Sequence, residues 1–343
     1  MTYAQSSDAQ QAYELTRGLQ NYFAKKLGEL SSQYGNDSAF VEKKWLRDAG
    51  KHGGGSRFEA SDEQLFNRGS INVSQVHYDD MPTKKLSSAT AISTIIHPQN
   101  PHAPSIHMHI SFTQMREGKS YWRIMADLNP SISNQTDKES FTQSIKNLVN
   151  EYADEGIQQG DKYFYIPTLK RSRGVSHFYL ENFTSGKFEQ DYLFTQKFGK
   201  GIIDTYTTIL DNAFRSRKAI SEADKKQQLA YHTLYLFQVL TLDRGTTSGL
   251  LIHDQNDTGI MGSLPNHVNK RVLKSWKSAM PQPQDELLES LIDVIPDDGA
   301  ITLEVKKSLA KAVREHYKKY PQALSMQASG NIIPSTVANH IKA

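Results

Sequence analysis

Apolar and polar residues alternate along the chain between residues 71 and 128. Ile106, Met108, Ile110 and Phe112 alternate with polar residues in S-I-H-M-H-I-S-F (105–112), and a strand with this period buries one face and presents the other. The same period recurs in I-N-V-S-Q-V-H (71–77), A-I-S-T-I-I-H (91–97) and S-Y-W-R-I-M-A-D-L (120–128). Short turns separate these segments, which predicts a largely antiparallel sheet.

Helical spacing of apolar residues appears on both sides of this region. It predicts an amphipathic helix over residues 7–31, with Ser7 and Gln10 as its capping box. Two further helices are predicted around residues 141–152 and 202–210. The chain is therefore expected to combine the sheet with several helices.

The remaining segments complete an α+β pattern. K-Y-F-Y-I (162–166) and V-S-H-F-Y-L-E-N-F (175–183) are predicted strands, and the apolar run 234–242 is either a strand or a buried helix. A basic amphipathic stretch at about 303–320 is predicted as a solvated surface helix. No repeat or low-complexity linker interrupts the chain, which favours a single domain over residues 1–343.

Composition narrows the class of protein. With 22% charged and 37% hydrophobic residues the chain suits a folded globular protein. The absence of cysteine excludes disulfides, thiolate metal sites and cysteine nucleophiles. The net charge of +3 comes without a long Lys/Arg block, so nucleic acid is not an expected partner. The N-terminus lacks a basic stretch followed by an apolar run, and no segment approaches a membrane span, so we expect a cytoplasmic protein without a membrane partner.

Four histidines cluster between the predicted strands, at His97, His102, His107 and His109. His107 and His109 should project side by side into a polar cleft, because they alternate with the apolar face. Neutral imidazoles can share a metal ion, but no helical H-x-x-x-H or E-x-x-H pattern adds a further ligand, so no metal is expected. His102, flanked by prolines, is expected to be a core residue that backbone carbonyls satisfy.

Charged residues beside apolar strands are the other candidates. Asp127 in A-D-L-N-P can face the same cleft as His107, where it would hold N–H donors or tune the histidine, or it can be a turn residue. Arg173 and Arg244, each next to a glycine, can bind a carboxylate. Asp243 and Arg244 can instead form an internal salt bridge that shapes a loop. The glycine-rich segment 52–57 is expected to be a flexible turn, with anion binding as the alternative. No nucleotide or flavin fingerprint is found, so no such cofactor is indicated.

Several motifs occur together in a recognisable order. S-T-I-I-H-P-Q-N-P-H-A-P-S-I-H (93–107) is accompanied by G-G-G (53–55), F-N-R-G-S-I-N-V-S-Q-V-H (66–77), D-L-N-P (127–130), R-G-V (173–175), L-D-R-G-T-T-S-G-L (242–250) and I-M-G-S-L-P (260–265). The chain thereby resembles the oxygen-dependent coproporphyrinogen III oxidase family over most of its length. A helical extension from about residue 300 departs from the family's usual ending.

The resemblance implies a fold, a reaction and roles for named residues. It implies a large, mainly antiparallel sheet flanked by helices on both faces, and a homodimer. It also implies oxidative decarboxylation of two propionate side chains of a porphyrinogen to vinyl groups. Molecular oxygen would be the oxidant, with no flavin or redox metal. The implied roles are acid/base catalysis at His107, pyrrole N–H binding at Asp127, and substrate contacts at Ser93, Arg173, Asp243 and Arg244.

The chain also departs from the family pattern. His109 and Ser111 stand where the family has Asn and Arg, and Ile124, Met125 and Ala126 replace a triple glycine. Three further arginines of the family are Leu169, Leu234 and Asn256 here. We therefore expect His109 and Ser111 to contact a substrate whose carboxylate clamp has been rebuilt.

Three functions remain open at this level. The first is a diverged coproporphyrinogen oxidase in which Arg57, Arg123 or Arg171 replaces the missing arginines. The second is the same reaction on another electron-rich heteroarene with an acidic side chain, including one carried by a peptide. The third is a non-catalytic tetrapyrrole-binding protein in which His107 or His109 ligates haem iron.

Overall fold

The alternating segments are strands of one large sheet. The computed structural model describes residues 1–38, 40–117, 119–333 and 337. Within these residues, seven strands pair antiparallel in the order β1-β2-β3-β4-β5-β6-β9. They are β1 (Val41–Leu46), β2 (Gly53–Glu59), β3 (Phe66–His77), β4 (Leu86–Pro98), β5 (Ser105–Met115), β6 (Tyr121–Asn129) and β9 (Ser176–Phe183), while β7 (Tyr165–Ile166) and β8 (Arg171–Ser172) pair separately. The predicted antiparallel sheet is confirmed.

Helices cover both faces of this sheet, as expected for the fold class. They are α1 (Ser7–Tyr34), α2 (Gln135–Val149), α3 (Ala153–Tyr163), α4 (Phe188–Ser216), α5 (Glu222–Thr241), α6 (Arg244–Ile252), α7 (Asp257–Ile260), α8 (Lys270–Trp276), α9 (Gln284–Val294) and α10 (Leu303–Lys319). Helices α1, α2 and α4 pack on the apolar face, and α5 with the helices that follow it packs over the other face. None of the helices within the described ranges is long and apolar enough to cross a membrane.

The period-2 alternation determines which core each side chain enters. Ile106, Met108 and Ile110 of β5 are fully buried in the core that includes Leu19 and Phe23 of α1. Each fully buried aliphatic side chain contributes roughly 1.5–3 kcal/mol. This face fixes the register of the strand, because a slip by one residue would place the polar side chains in the core.

Two local predictions in the N-terminal part of the chain are wrong: the residue that caps α1 and the conformation of the glycine-rich segment. Helix α1 is capped by Ser6 rather than Ser7, and the Ser6 hydroxyl accepts from the Ala9 amide. The glycine-rich segment is part of strand β2 and not a turn. Gly53 and Gly54 have positive φ angles, and a side chain there would collide with backbone carbonyl oxygens of neighbouring strands. The glycines are therefore needed for close strand packing.

Three predictions in the C-terminal half are decided by packing. The predicted strand 162–166 is confirmed only at Tyr165–Ile166, which form β7, because α3 continues to Tyr163 and takes up the start of the segment. The apolar run 234–242 lies in helix α5, which is buried on all sides over these residues. The basic stretch 303–320 is helix α10, whose Leu309 and Val313 are fully buried in the second core. It is a packed helix rather than the predicted solvated one.

Candidate active site

A cavity of about 260 Å³ lies between the polar face of the sheet and helices α5 and α6. Strands β3 to β6 form its floor, to which they contribute polar side chains such as Asn72, Ser93 and Arg123. Of the predicted site residues, those that line it are Ser93, His107, His109, Ser111 and Asp243. Five of the eight predicted site residues therefore lie at one cavity.

His107 is held by a carboxylate from the neighbouring strand. His107 on β5 and Asp127 on β6 stand opposite each other in the strand register, and His107 Nδ1 lies 3.0 Å from Asp127 Oδ1. A carboxylate can only accept, so the Nδ1 proton is donated to Asp127. The lone pair is then on Nε2, which makes His107 a suitable proton acceptor.

Asp127 lies behind His107, outside the cavity wall formed by the described residues. Its side chain is fully buried, and Oδ2 accepts from Arg173 Nη2 at 2.8 Å and from Asn129 Nδ2 at 2.5 Å. Burial alone would raise the pKa of this carboxyl, but Arg173, followed by His107, holds the pKa below its usual value. Both oxygens are thus occupied by protein donors. Direct binding of pyrrole N–H groups by Asp127 stays a prediction, and these bonds favour a positioning role instead.

Arg173 is a buried cation rather than a side chain that faces a ligand. It is 1% exposed, and its guanidinium lies 5.0 Å from the ring centres of both Phe164 and Tyr235. Burial would lower the pKa of Arg173, but the Asp127 carboxylate raises it. Its Nε and Nη1 have no hydrogen-bond partner among the described residues. Its positive charge compensates the negative charge of Asp127.

His109 and Ser111 follow His107 on the same face of β5. His109 is opposite Ser93 of β4 and Met125 of β6, and all three line the cavity. Burial, then Arg123 and His107, lower the pKa of His109 well below its usual value, so it is neutral at pH 7. Its buried Nε2 has no hydrogen-bond partner in the described part of the chain. His109 can therefore bind a ligand as a neutral donor or acceptor.

Arg123 is the cationic side chain of the sheet at this cavity. It lines the wall, but its Nε and Nη2 lie 2.5 Å and 3.1 Å from the two oxygens of Glu181 on β9. The Tyr179 hydroxyl also donates to Glu181. Because this carboxylate is buried and bidentate, it largely neutralises Arg123. The sequence analysis missed Glu181, although its parity with His177 in V-S-H-F-Y-L-E-N-F places it on the polar face.

Asp243 and Arg244 have separate surroundings. Asp243 caps helix α6 by accepting from the Thr246 amide at 2.6 Å, and it accepts from the Tyr163 hydroxyl at 2.9 Å. Arg244 is buried and points at the backbone carbonyls of residues 327 and 328. Its proposed contact with a substrate stays a prediction, and it is not part of the cavity wall seen in the described ranges.

The four histidines of the predicted cluster lie in different environments. His97 is buried against the rings of His232 and Tyr235 and lies 2.8 Å from the Ser105 hydroxyl through Nδ1. His102 Nε2 lies 3.4 Å from Asp224 Oδ2. The expectation that backbone carbonyls satisfy this histidine is therefore wrong for Nε2. In the described residues, no three His, Cys, Asp or Glu side chains converge in the way that metal ligands do.

One replacement of the family's glycines faces the cavity. Met125 lines it, whereas Ile124 and Ala126 point to the opposite face and are buried in the apolar core. This follows from the alternation along β6. Crowding of a flat ligand is therefore expected from Met125 and not from Ile124.

These features define a class: an α+β protein with a cavity over its sheet, in which one wall carries a histidine oriented by a buried aspartate. A sequence model of the family described as coproporphyrinogen III oxidase matches residues 11–294. The chain belongs to this family, which confirms the resemblance found in the sequence.

Relatives in bacteria agree with this assignment. The chain is 28% identical over 272 residues to the oxygen-dependent coproporphyrinogen-III oxidase of Rickettsia akari (strain Hartford), covering 73% of this chain and 94% of that protein. It is 30% identical over 244 residues to the protein of the same name from Rickettsia bellii (strain OSU 85-389), covering 67% and 84%.

Proposed function

We propose that the chain is an oxygen-dependent coproporphyrinogen III oxidase, which converts propionate side chains of the porphyrinogen to vinyl groups in haem biosynthesis. The observation that carries the proposal is the position of His107, on the cavity wall and bonded to Asp127, in a chain of this family. Each turnover would take one propionate, one oxygen molecule and one proton to a vinyl group, carbon dioxide and hydrogen peroxide. We propose that molecular oxygen is the oxidant and that no metal or flavin takes part.

The role of the protein in this reaction would be positioning and proton transfer. The electron-rich pyrrole supplies the electrons that reduce oxygen, so the site needs a base for the proton that the substrate loses. Nε2 of His107 is that base in our proposal, and Asp127 stabilises the imidazolium that forms. The buried Arg173 keeps Asp127 ionised. A homodimer and a cytoplasmic location are also proposed, on the family resemblance and the sequence.

The experiment is incubation of purified protein with coproporphyrinogen III under air, with carbon dioxide and the vinyl products measured. His107→Gln should lower kcat by about 10²–10⁴-fold, the usual contribution of a general base. His102→Gln is the matched control, because His102 lies with Asp224 away from the cavity. If the wild type released neither carbon dioxide nor protoporphyrinogen, the proposal would be wrong.

A second candidate substrate is supported by the charge of the cavity wall. Arg123 is neutralised by Glu181, and Met125 occupies a position where the family has glycine. A smaller electron-rich heteroarene with one acidic side chain would need fewer cations than a tetra-anion. Carbon dioxide release from such an acid, without release from coproporphyrinogen III, would favour it. A Soret shift on haem titration that His109→Ala abolishes would instead support a tetrapyrrole-binding protein.

A further inference from the structure

Helix α10 carries a buried lysine near strands β2 and β3 of the sheet, and the turn Met261–Ser263 contacts both α10 and β3. Lys306 is only 6% exposed, although lysine is rarely so buried unless it is paired. Arg68 of β3 and Arg57 of β2 both act electrostatically on it. The helix lies beyond residue 294, where the family match ends. This contact therefore belongs to the part of the chain that departs from the family.

The nearby carboxylate is already occupied by other basic groups. Glu59 accepts from Arg57 through Oε1, at 2.8 Å from Nε and 2.7 Å from Nη2, and from Lys43 through Oε2. Arg68 donates to the Asn266 amide oxygen, and its buried Nε has no hydrogen-bond partner among the described residues. Within those residues, neither Arg68 nor Lys306 forms an ion pair. The cluster formed by Arg57, Arg68, Lys306 and Glu59 therefore carries an excess of positive charge.

This excess charge is unfavourable in the absence of an anion. Burial first, and then Arg68, lower the pKa of Lys306 to about 7, and Glu59 offsets this only in part. Burial also lowers the pKa of Arg68, and Glu59 and the exposed Glu63 offset this only in part, without forming an ion pair with it. A negative group at this place would remove the repulsion and give the unpaired N–H groups an acceptor.

The cluster adjoins the cavity. Ser70 and Asn72 line the cavity and stand opposite Glu59 and Arg57 in the β2–β3 register. A Cβ on Gly262 would lie 3.5 Å from Arg57 Nε and 3.6 Å from Ser70 Oγ. Arg57 is thus directly behind the wall that Ser70 forms. Asn72 Oδ1, at the same wall, is buried without a hydrogen-bond partner in the described residues.

We propose that Arg57, Arg68 and Lys306 form an oxyanion-binding site that takes a carboxylate or phosphate group. Guanidinium and ammonium donors form short, charge-assisted hydrogen bonds with such groups. The anion has two possible sources, a carboxylate of the ligand in the cavity or a free anion. The first source rests on the proposed function, whereas the site itself does not.

The test is titration of the full-length protein with inorganic phosphate and with propionate in a chloride buffer, followed by NMR. Lys306→Met removes the charge and keeps an apolar stem. Lys307→Met is the matched control, because it removes an exposed lysine that pairs with Glu304. We expect saturable binding to the wild type and to the control, and binding at least about tenfold weaker to Lys306→Met.

Two results would overturn the proposal: no saturable binding of either anion, or equal binding to all three proteins. If Lys306→Met does not fold, the wild type alone decides. The Lys306 side-chain resonance should then titrate at higher pH when the anion is present, because a bound negative charge favours the ammonium form. An unchanged titration would contradict the site.

Coproporphyrin III, a fully oxidised tetracarboxylate, distinguishes the two sources. If coproporphyrin III competes with phosphate and binds Lys306→Met about tenfold more weakly than the wild type, the site binds a carboxylate of the cavity ligand. Saturable phosphate binding without competition supports a site for a free anion. Binding is measured without turnover, so these results remain informative even if the protein fails to decarboxylate coproporphyrinogen III.

Discussion

Asp127→Asn should lower the free energy of unfolding by about 3–5 kcal/mol at pH 7, the cost of leaving a buried charge without its partner. Asp127 is fully buried and accepts from His107, Arg173 and Asn129. An amide of the same shape removes the negative charge and presents N–H donors to neighbours that are themselves donors. The guanidinium of Arg173, 1% exposed and already with two unpartnered nitrogens among the described residues, cannot reach water.

The magnitude can be separated from other contributions by a second substitution. Loss of one hydrogen bond to a charged group would account for only about 1.5–3 kcal/mol. The rings of Phe164 and Tyr235 stabilise the Arg173 cation in both proteins, so they do not contribute to the difference. Arg173→Met places an apolar stem between these rings and removes the charge. The double variant should therefore be more stable than Asp127→Asn alone, with a coupling energy of at least about 2 kcal/mol.

Urea unfolding of the wild type, both single variants and the double variant at pH 7 supplies the cycle. The folded pKa of Asp127 lies below 3.8, its usual value, which it keeps in the unfolded chain. The stability from this group is therefore complete above about pH 5. It is lost as the pH falls through the lower folded pKa. The gap between wild type and Asp127→Asn should shrink in that range. A loss under about 1 kcal/mol, or a double variant equal to the sum of the singles, would refute the compensation of Arg173 by Asp127.

Three further substitutions test the packing of the helices. In a chloride buffer, Lys306→Met should stabilise the fold by at most about 5 kcal/mol at pH 6, from the difference between 10.5 and the folded pKa of about 7. The protonated lysine costs stability below pH 7 and the cost disappears towards pH 10.5, so an equal gain at pH 6 and pH 10 in urea unfolding would contradict its burial as a cation. Gly156→Ala should cost about 1–3 kcal/mol in the same assay, because its Cβ would collide with the Phe178 ring. Gly18→Ala, which meets no atom within 4 Å in helix α1, should gain about 0.5–1 kcal/mol, and similar effects of the two would contradict the packing of α3 on β9.

The alternation in β5 determined more of the site than any other pattern. A strand with Ile106, Met108 and Ile110 on one face has to place His107 and His109 on the other, whatever the rest of the chain does. The cavity wall could therefore be predicted from the sequence. The order of the motifs identified the family, because several segments that lie far apart in the chain had to match together.

The partners of the charged residues could not be predicted in the same way. Asp127 meets His107 through strand register, but it meets Arg173 only because the chain returns after α3 to pair β9 with β6. The same pairing brings Glu181 to Arg123. Such contacts between distant segments depend on the topology, and local patterns carry no information about them. The position of the end of α3 could not be predicted for a related reason. Gly156 and Gly160 let α3 pack closely on β9, and this packing exists only once that strand is in place.

The charges around the cavity differ in what they can do for a ligand. Arg123 and Arg173 are each compensated by a buried carboxylate, so a ligand carboxylate that approached either would compete with Glu181 or Asp127. Arg68 and Lys306 have no such partner in the described residues. A ligand with several carboxylates would thus gain more from the α10 side of the cavity than from the side of His107. The end that faces His107 would then carry the least charge, which suits the oxidative decarboxylation proposed above, in which a carboxylate leaves as neutral carbon dioxide.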